Sequence, residues 1–138
     1  MTPSPAATLP APVLALGLTE PLPGFPHHRD YALVAADGEG RLCWLQSLAP
    51  DGPRFLAVPP AAYFPDYDPA LPGAVCAELG LPGPDEALLY CLVTVPRGDV
   101  AAATANLRAP VVVNPVAGRA RQVVLPDGGH PIRRPLRR

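Results

Sequence analysis

The sequence predicts a mainly β protein: a small antiparallel, partly closed β-barrel-like single domain with one short helix. Three observations carry this. The chain holds 22 prolines in 138 residues, and each interior proline costs a helix about 3 kcal/mol, which argues against a helical bundle. Short apolar runs alternate with Pro-Gly, Asp-Gly and Pro-rich turn signals, the punctuation of short strands. Val111-Val112-Val113 is a continuous β-branched run between Pro110 and Asn114-Pro115, which reads as a strand buried on both faces. A domain of six or seven such strands deals with its edges by closing or half-closing on itself. The length fits one domain, with roughly 65–70% of the unfolded surface buried. The expected layout is a Pro/Ala-rich leader over 1–12, a barrel over 13–126 and a basic tail over 127–138.

In chain order, the uncharged leader has the composition of a mobile tail. Val13–Leu18 reads as a first, edge strand. Pro23-Gly24 is a turn, with Pro setting φ and Gly supplying a positive φ, after which Phe25 plugs back onto the core. Arg29–Ala36 and Arg41–Leu48 form a hairpin around Asp37-Gly38-Glu39-Gly40. Pro50–Pro53 is a further turn and Arg54–Val58 the next strand. Pro60–Tyr67 gathers Tyr63, Phe64 and Tyr67, three of the eight aromatics. They form either a mini-core under a loop or an exposed ridge for a partner, since Tyr anchors interfaces well. Ala74–Leu79 is a short helix with Gly80 as its C′ residue. Glu86–Val95 is the longest apolar run and a central strand. Val100–Ala103 is one helical turn. It leads into a polar shoulder, where Thr104 and Asn106 can bond nearby backbone groups. Pro110 then fixes φ and biases Ala109 toward extended backbone, so the triple-valine strand follows. Ala117-Gly118-Arg119 is a tight turn and Arg121–Leu125 the last strand.

Charge is uneven. There are 11 arginines and no lysine; residues 1–118 carry five Arg and eleven acids, and residues 119–138 carry six Arg and one acid. An acidic body favours a basic partner through its overall field, and solvated faces are the plain alternative. Cys43, Cys76 and Cys91 lack CxxC spacing, and Cys43 and Cys91 lie in apolar runs as small buried hydrophobes. A disulfide framework is not expected, and a reducing cytoplasm is the default. The first basic residue is Arg29, so no signal peptide is expected, and Val13–Leu18 is too short to span a membrane.

Four segments carry a resemblance. Thr104-Ala105-Asn106-Leu107-Arg108-Ala109-Pro110-Val111-Val112-Val113-Asn114 resembles the signature of the bacterial flagellar assembly factor FliW family. Leu18–Phe25 is similar to that family's acid and Pro-Gly-Phe segment, with Pro21 where the family often has Gly. Trp44-Leu45-Gln46-Ser47 resembles its Leu-Gln-Ser element, and Pro60–Tyr67 its run of Pro, two aromatics, an acid and Tyr. The end near Arg134-Pro135-Leu136 also matches a basic residue followed by Pro-Leu. Together these cover residues 18–136. The resemblance implies a compact β-barrel-like fold and a cytoplasmic, non-enzymatic regulator. Its implied partners are newly made flagellin and the RNA-binding translational repressor CsrA, exchanged in a partner switch.

The residues themselves supply no competing chemistry. His27, His28 and His130 with Asp66 or Asp68 are the conceivable metal ligands. Adjacent histidines on extended backbone point to opposite faces, and zinc-type spacings are missing. No phosphate loop is present, and Gly118 and Gly128-Gly129 read as turn residues. No catalytic, metal or cofactor residue is therefore assigned, and no cofactor is expected. Six tail arginines suit phosphates, but the aromatics sit in the acidic body, so the stacking platform of an RNA surface is missing. Direct nucleic-acid binding and membrane association are not expected. The alternatives are a small-ligand-binding β-barrel module and a weak RNA binder acting through its Arg-rich tail.

Two partner surfaces are expected. One is the shoulder Thr104, Asn106 and Leu107 together with Gln46 and Ser47; its structural alternative is that Asn106 and Gln46 only satisfy backbone groups in a corner. The other is the set of acids Asp66, Asp68, Glu78, Asp85 and Glu86, for a basic partner, apart from the aromatic ridge of Tyr63, Phe64 and Tyr67.

Overall fold

The computed structural model describes residues 13–126 and 128–136. Nine strands and one α-helix follow in order: β1 (Val13–Leu18), β2 (Asp30–Ala35), β3 (Cys43–Ser47), β4 (Arg54–Val58), α1 (Gly73–Leu79), β5 (Leu88–Thr94), β6 (Thr104–Ala105), β7 (Val111–Asn114), β8 (Arg119–Gln122) and β9 (Arg134–Pro135). The strand order is β4-β3-β2-β1-β8-β7-β5, and β4 pairs β5 to close the ring. The barrel is mainly β, as the sequence predicts, and its closure is complete rather than partial. The leader, residues 1–12, lies outside the described residues.

Three expectations are corrected. β1 is not an edge strand: it pairs β2 antiparallel and β8 parallel, with Gly17 opposite Arg119. The barrel therefore contains one parallel seam. Gly118 makes the seam possible, with φ +69° and a position where a Cβ would come within 3.1 Å of the Ala15 carbonyl oxygen. The β2–β3 connection is wider than an Asp-Gly turn. It spans residues 37–41, closed by Ala36 N–H to Leu42 O at 2.8 Å and by Arg41 N–H to the Asp37 carboxylate at 3.1 Å. The positive φ falls at Gly40, not Gly38. The last barrel strand starts earlier, at Arg119, because the Asn114 side chain tightens the turn: its Oδ1 accepts from Val116 and Ala117 N–H. Residues 123 and 125 continue alongside the shoulder through Val123 N–H to Pro110 O and Leu125 N–H to Arg108 O.

Other turns follow the local chemistry. Phe25 N–H bonds Leu22 O across Pro23-Gly24, with Gly24 at φ +88°, and Phe25 meets Phe55 edge-on at 5.3 Å. Helix α1 ends on Gly80 at φ +74°. Gly80 N–H bonds Ala77 O and Leu81 N–H bonds Cys76 O, a Schellman end. The Asn114 amide donates to Leu79 O at 2.8 Å and so ties the helix end to β7.

The core has three parts, and β7 explains why. Val111 and Val113 face the barrel interior with Leu16, Tyr31 and Leu45. Val112 faces outward under Val75, Cys76 and Leu79 of α1. All four β7 residues are buried, so the strand is covered on both faces, as its composition predicts. β5 alternates likewise: Leu92 packs inward and Cys91 outward. The outward cluster of Val58, Phe64, Cys91, Ala105 and Leu107 has no helix over it. What covers it forms the site described next.

Candidate functional site

β6 and β7 run along the same edge of β5 in different registers. Thr94 faces Thr104, and Tyr90 faces Val111. Four steps on β5 thus match seven on the facing segment, and the three surplus residues are taken up within the Asn106–Pro110 shoulder. The Asn106 side-chain oxygen holds this excursion, accepting from Arg108 N–H at 3.0 Å and Ala109 N–H at 3.1 Å. Leu107 turns inward and is 2% exposed.

Facing the shoulder is the aromatic loop. Pro60 opens a 3-10 turn, and Phe64 N–H bonds back to Pro60 O at 2.7 Å. Phe64 is buried in the outward cluster. The Tyr63 hydroxyl donates to Arg41 O at 3.0 Å, and the Arg41 guanidinium lies 4.6 Å from the Tyr63 ring centre. The Tyr67 hydroxyl donates to Leu107 O at 2.7 Å. Burial and the neighbouring Cys91 hold the Tyr67 phenol well above its usual range. Burial pushes the Cys91 thiol up to about 12, against a lowering hydrogen bond from Tyr67. Both groups stay neutral at physiological pH, which leaves the Cys91 thiol a poor nucleophile.

The third wall is the chain's own end. Arg134-Pro135 pairs with Thr104-Ala105, so the described part of the basic tail is built into the body. The Arg134 guanidinium sits 5.0 Å from the Phe64 ring centre. His130 meets Tyr67 edge-on at 5.2 Å. Together the three walls enclose a groove of about 710 Å³ lined by Tyr63, Phe64, Asp66, Tyr67, Leu107 and the residues from Gly129 to Leu136 that face it.

The structure thus brings together five of the residues expected to meet partners: Tyr63, Phe64, Asp66, Tyr67 and Leu107. Thr104 and Asn106 stand directly beside them as the strand and turn that hold the wall. Leu107 and Phe64 are core residues that floor the groove, not exposed anchors; their apolar side chains close the outward cluster. Gln46 and Ser47 are elsewhere. Gln46 is exposed on β3, and Ser47 is buried at the far end of β3 from Leu42, which packs on the outward cluster. The Ser47 hydroxyl bonds His28 Nδ1 at 3.1 Å and Ala49 N–H at 3.2 Å. Among the acids, Asp66, Asp68, Asp85 and Glu86 are exposed. Glu78 is engaged in the body by the Thr19 hydroxyl and by Arg121 at 2.7 Å, with Arg121 also reaching Glu20 at 3.2 Å.

The sequence places Arg108 in the signature and Arg134-Pro135-Leu136 at a family-like end, but assigns neither a role in the site. The alternation of Arg134 and Leu136 around Pro135 is a further signal that one face turns inward. A second, apolar pocket of about 400 Å³ lies at one barrel mouth, lined by Val13, Leu14, Leu33, Cys43, Leu88 and Tyr90 among others. The barrel interior behind it is filled by side chains. No described helix is long and apolar enough to cross a membrane.

Comparison with known proteins gives this groove its setting. The family model described as FliW protein matches residues 10–136. The chain belongs to the FliW family. It is 36% identical over 104 residues to a flagellar assembly factor FliW of Moorella thermoacetica, covering 75% of this chain and 66% of that protein. It is 38% identical over 115 residues to the Symbiobacterium thermophilum FliW, with 82% of each covered. Among solved structures, a crystal structure of the flagellar assembly factor FliW superposes with a TM-score of 0.80 at 27% identity, covering 88% of this chain and 84% of that one. The signature of this FliW-family chain is therefore one wall of the groove, and its aromatic loop another.

Proposed function

We propose that this protein is a cytoplasmic, non-enzymatic flagellar assembly factor that binds newly made flagellin and, alternately, a CsrA-type translational repressor. Free of flagellin, it holds the repressor off the flagellin message. When flagellin accumulates, flagellin occupies the protein and repression resumes. Cytoplasmic placement belongs to this reading, since both partners act there. The observation that carries it is membership of a family whose curated relatives are named flagellar assembly factors. The groove supports it as a docking surface: an apolar floor of Phe64 and Leu107 under polar, aromatic and acidic rims. The exposed Asp66 suits a basic partner, where charge complementarity chiefly speeds encounter and sets specificity.

Direct binding tests the reading. Flagellin and CsrA from the same organism are each titrated into the full chain by calorimetry. Both are expected to bind, and Asp66→Arg is expected to weaken CsrA at least fivefold with the melting temperature unchanged. Binding of neither partner overturns the reading.

A further inference from the structure

The outward cluster is covered by a short strap, residues 128–136, and the family signature supplies several of the bonds that hold it. Thr104 and Ala105 pair with it as β6. Leu107 N–H donates to Pro131 O at 3.0 Å, and Leu136 N–H donates to Ala103 O at 3.1 Å. Arg108 latches it with two bonds, Nε–H to His130 O and Nη2–H to Gly128 O, both 3.1 Å. No strap residue is fully buried: His130 and Leu136 are half-buried and the rest are exposed. Ile132 is 52% exposed, and residues 131–135 are all exposed. β9 itself is two residues long. A segment with so little buried surface and so few ladder bonds belongs to the low-stability end of a fold.

We propose that the strap is a replaceable strand. When it leaves, the free edge of β6 and the groove beneath take an extended segment of a partner protein in its place, by strand addition. The strap itself specifies the occupant. On extended backbone alternate side chains share a face. Arg134 sits against the Phe64 ring and Leu136, two residues on, joins the cluster of Val58, Phe64, Cys91, Ala105 and Leu107. The occupant is therefore an extended segment with a cation and an apolar residue two positions later, entering a groove whose exposed rim includes Asp66. The inference rests on the proposed function only in treating this face as a protein-docking surface.

The test locks and unlocks the strap in the full chain. Thr104 and Pro135 are direct register partners, so Thr104→Cys with Pro135→Cys places a cross-strand pair there. The three native cysteines are buried, and thiol counting confirms the cross-link. The probe is a fluorescein-labelled peptide of residues 128–136, read by anisotropy. It is expected to bind the reduced double variant and to be rejected at least tenfold by the oxidised one. Equal binding to locked and unlocked forms, or no binding to either, overturns the proposal. Flagellin and CsrA titrated into the reduced form test the functional reading separately, because the peptide result does not depend on either.

Discussion

The Tyr67 hydroxyl donates to the Leu107 carbonyl across 2.7 Å and so joins the aromatic loop to the signature shoulder. The two residues lie 40 positions apart, and their bond sets the spacing of two groove walls. Tyr67→Phe removes the donor and leaves the Leu107 carbonyl, on a residue 2% exposed, without it. An unpaired buried acceptor costs about 1–2 kcal/mol. Urea unfolding is expected to show a loss of that size with an unchanged m-value. An unchanged midpoint would mean that the bond contributes nothing net.

Asn106 decides between a partner-contacting and a corner role. Its Oδ1 accepts from two backbone N–H groups of the shoulder, which favours the corner. Asn106→Ala is expected to lower stability by about 1–2 kcal/mol and to loosen the strap as well. Lost partner binding at an unchanged melting temperature would instead make Asn106 a contact residue.

Arg97 is the one described non-glycine residue with positive φ, at +52°, followed by Gly98 at +74°. Asp99 N–H bonds Pro96 O at 2.8 Å, so the pair occupies the two central positions of a tight turn that favours Asn-Gly. Arg97→Asn is expected to raise stability by about 0.5–1 kcal/mol. A thermal melt showing no gain would contradict the assigned strain.

Alkali is expected to destabilise the fold. Burial raises the Cys91 thiol from 9.0 to about 12 and raises the Tyr67 phenol as well. The unfolded chain therefore loses these protons first as pH rises. Stability from this source is full below about pH 9 and falls as pH climbs toward 12, at up to about 1.4 kcal/mol per unit for each group. Denaturant midpoints from pH 7 to 10 are expected to fall, and Cys91→Ala to flatten the slope. A rise with pH would contradict the account. In the folded protein at pH 8, a thiol reagent is expected to leave Cys91 unmodified until denaturant is added.

Much of this molecule was legible in its residues, and the parts that were not share a cause. Three consecutive valines announce burial on both faces, and β7 has it. Pro23-Gly24 and Gly80 dictate their turns locally, and both turns form. The parallel seam of β1 on β8 pairs Gly17 with Arg119 and Leu18 with Ala120, far apart in the chain, and no local pattern encodes it. Residues 128–136 belong to what the sequence presents as a basic tail outside the barrel. Their attachment comes from backbone bonds to Leu107 and Ala103 and from the Arg108 latch, which composition does not reveal. Gln46 and Ser47 are grouped with Thr104, Asn106 and Leu107 in the expected partner surface, yet the run of β3 carries them away from the groove.

One titration tests the central claim most directly. CsrA is bound to fluorescent flagellin-leader RNA, the protein is added, and anisotropy is followed; flagellin is then added to the same tube. The account predicts that RNA is released as this protein takes up CsrA, and that flagellin restores the bound signal. RNA that stays bound at saturating protein would contradict the partner switch.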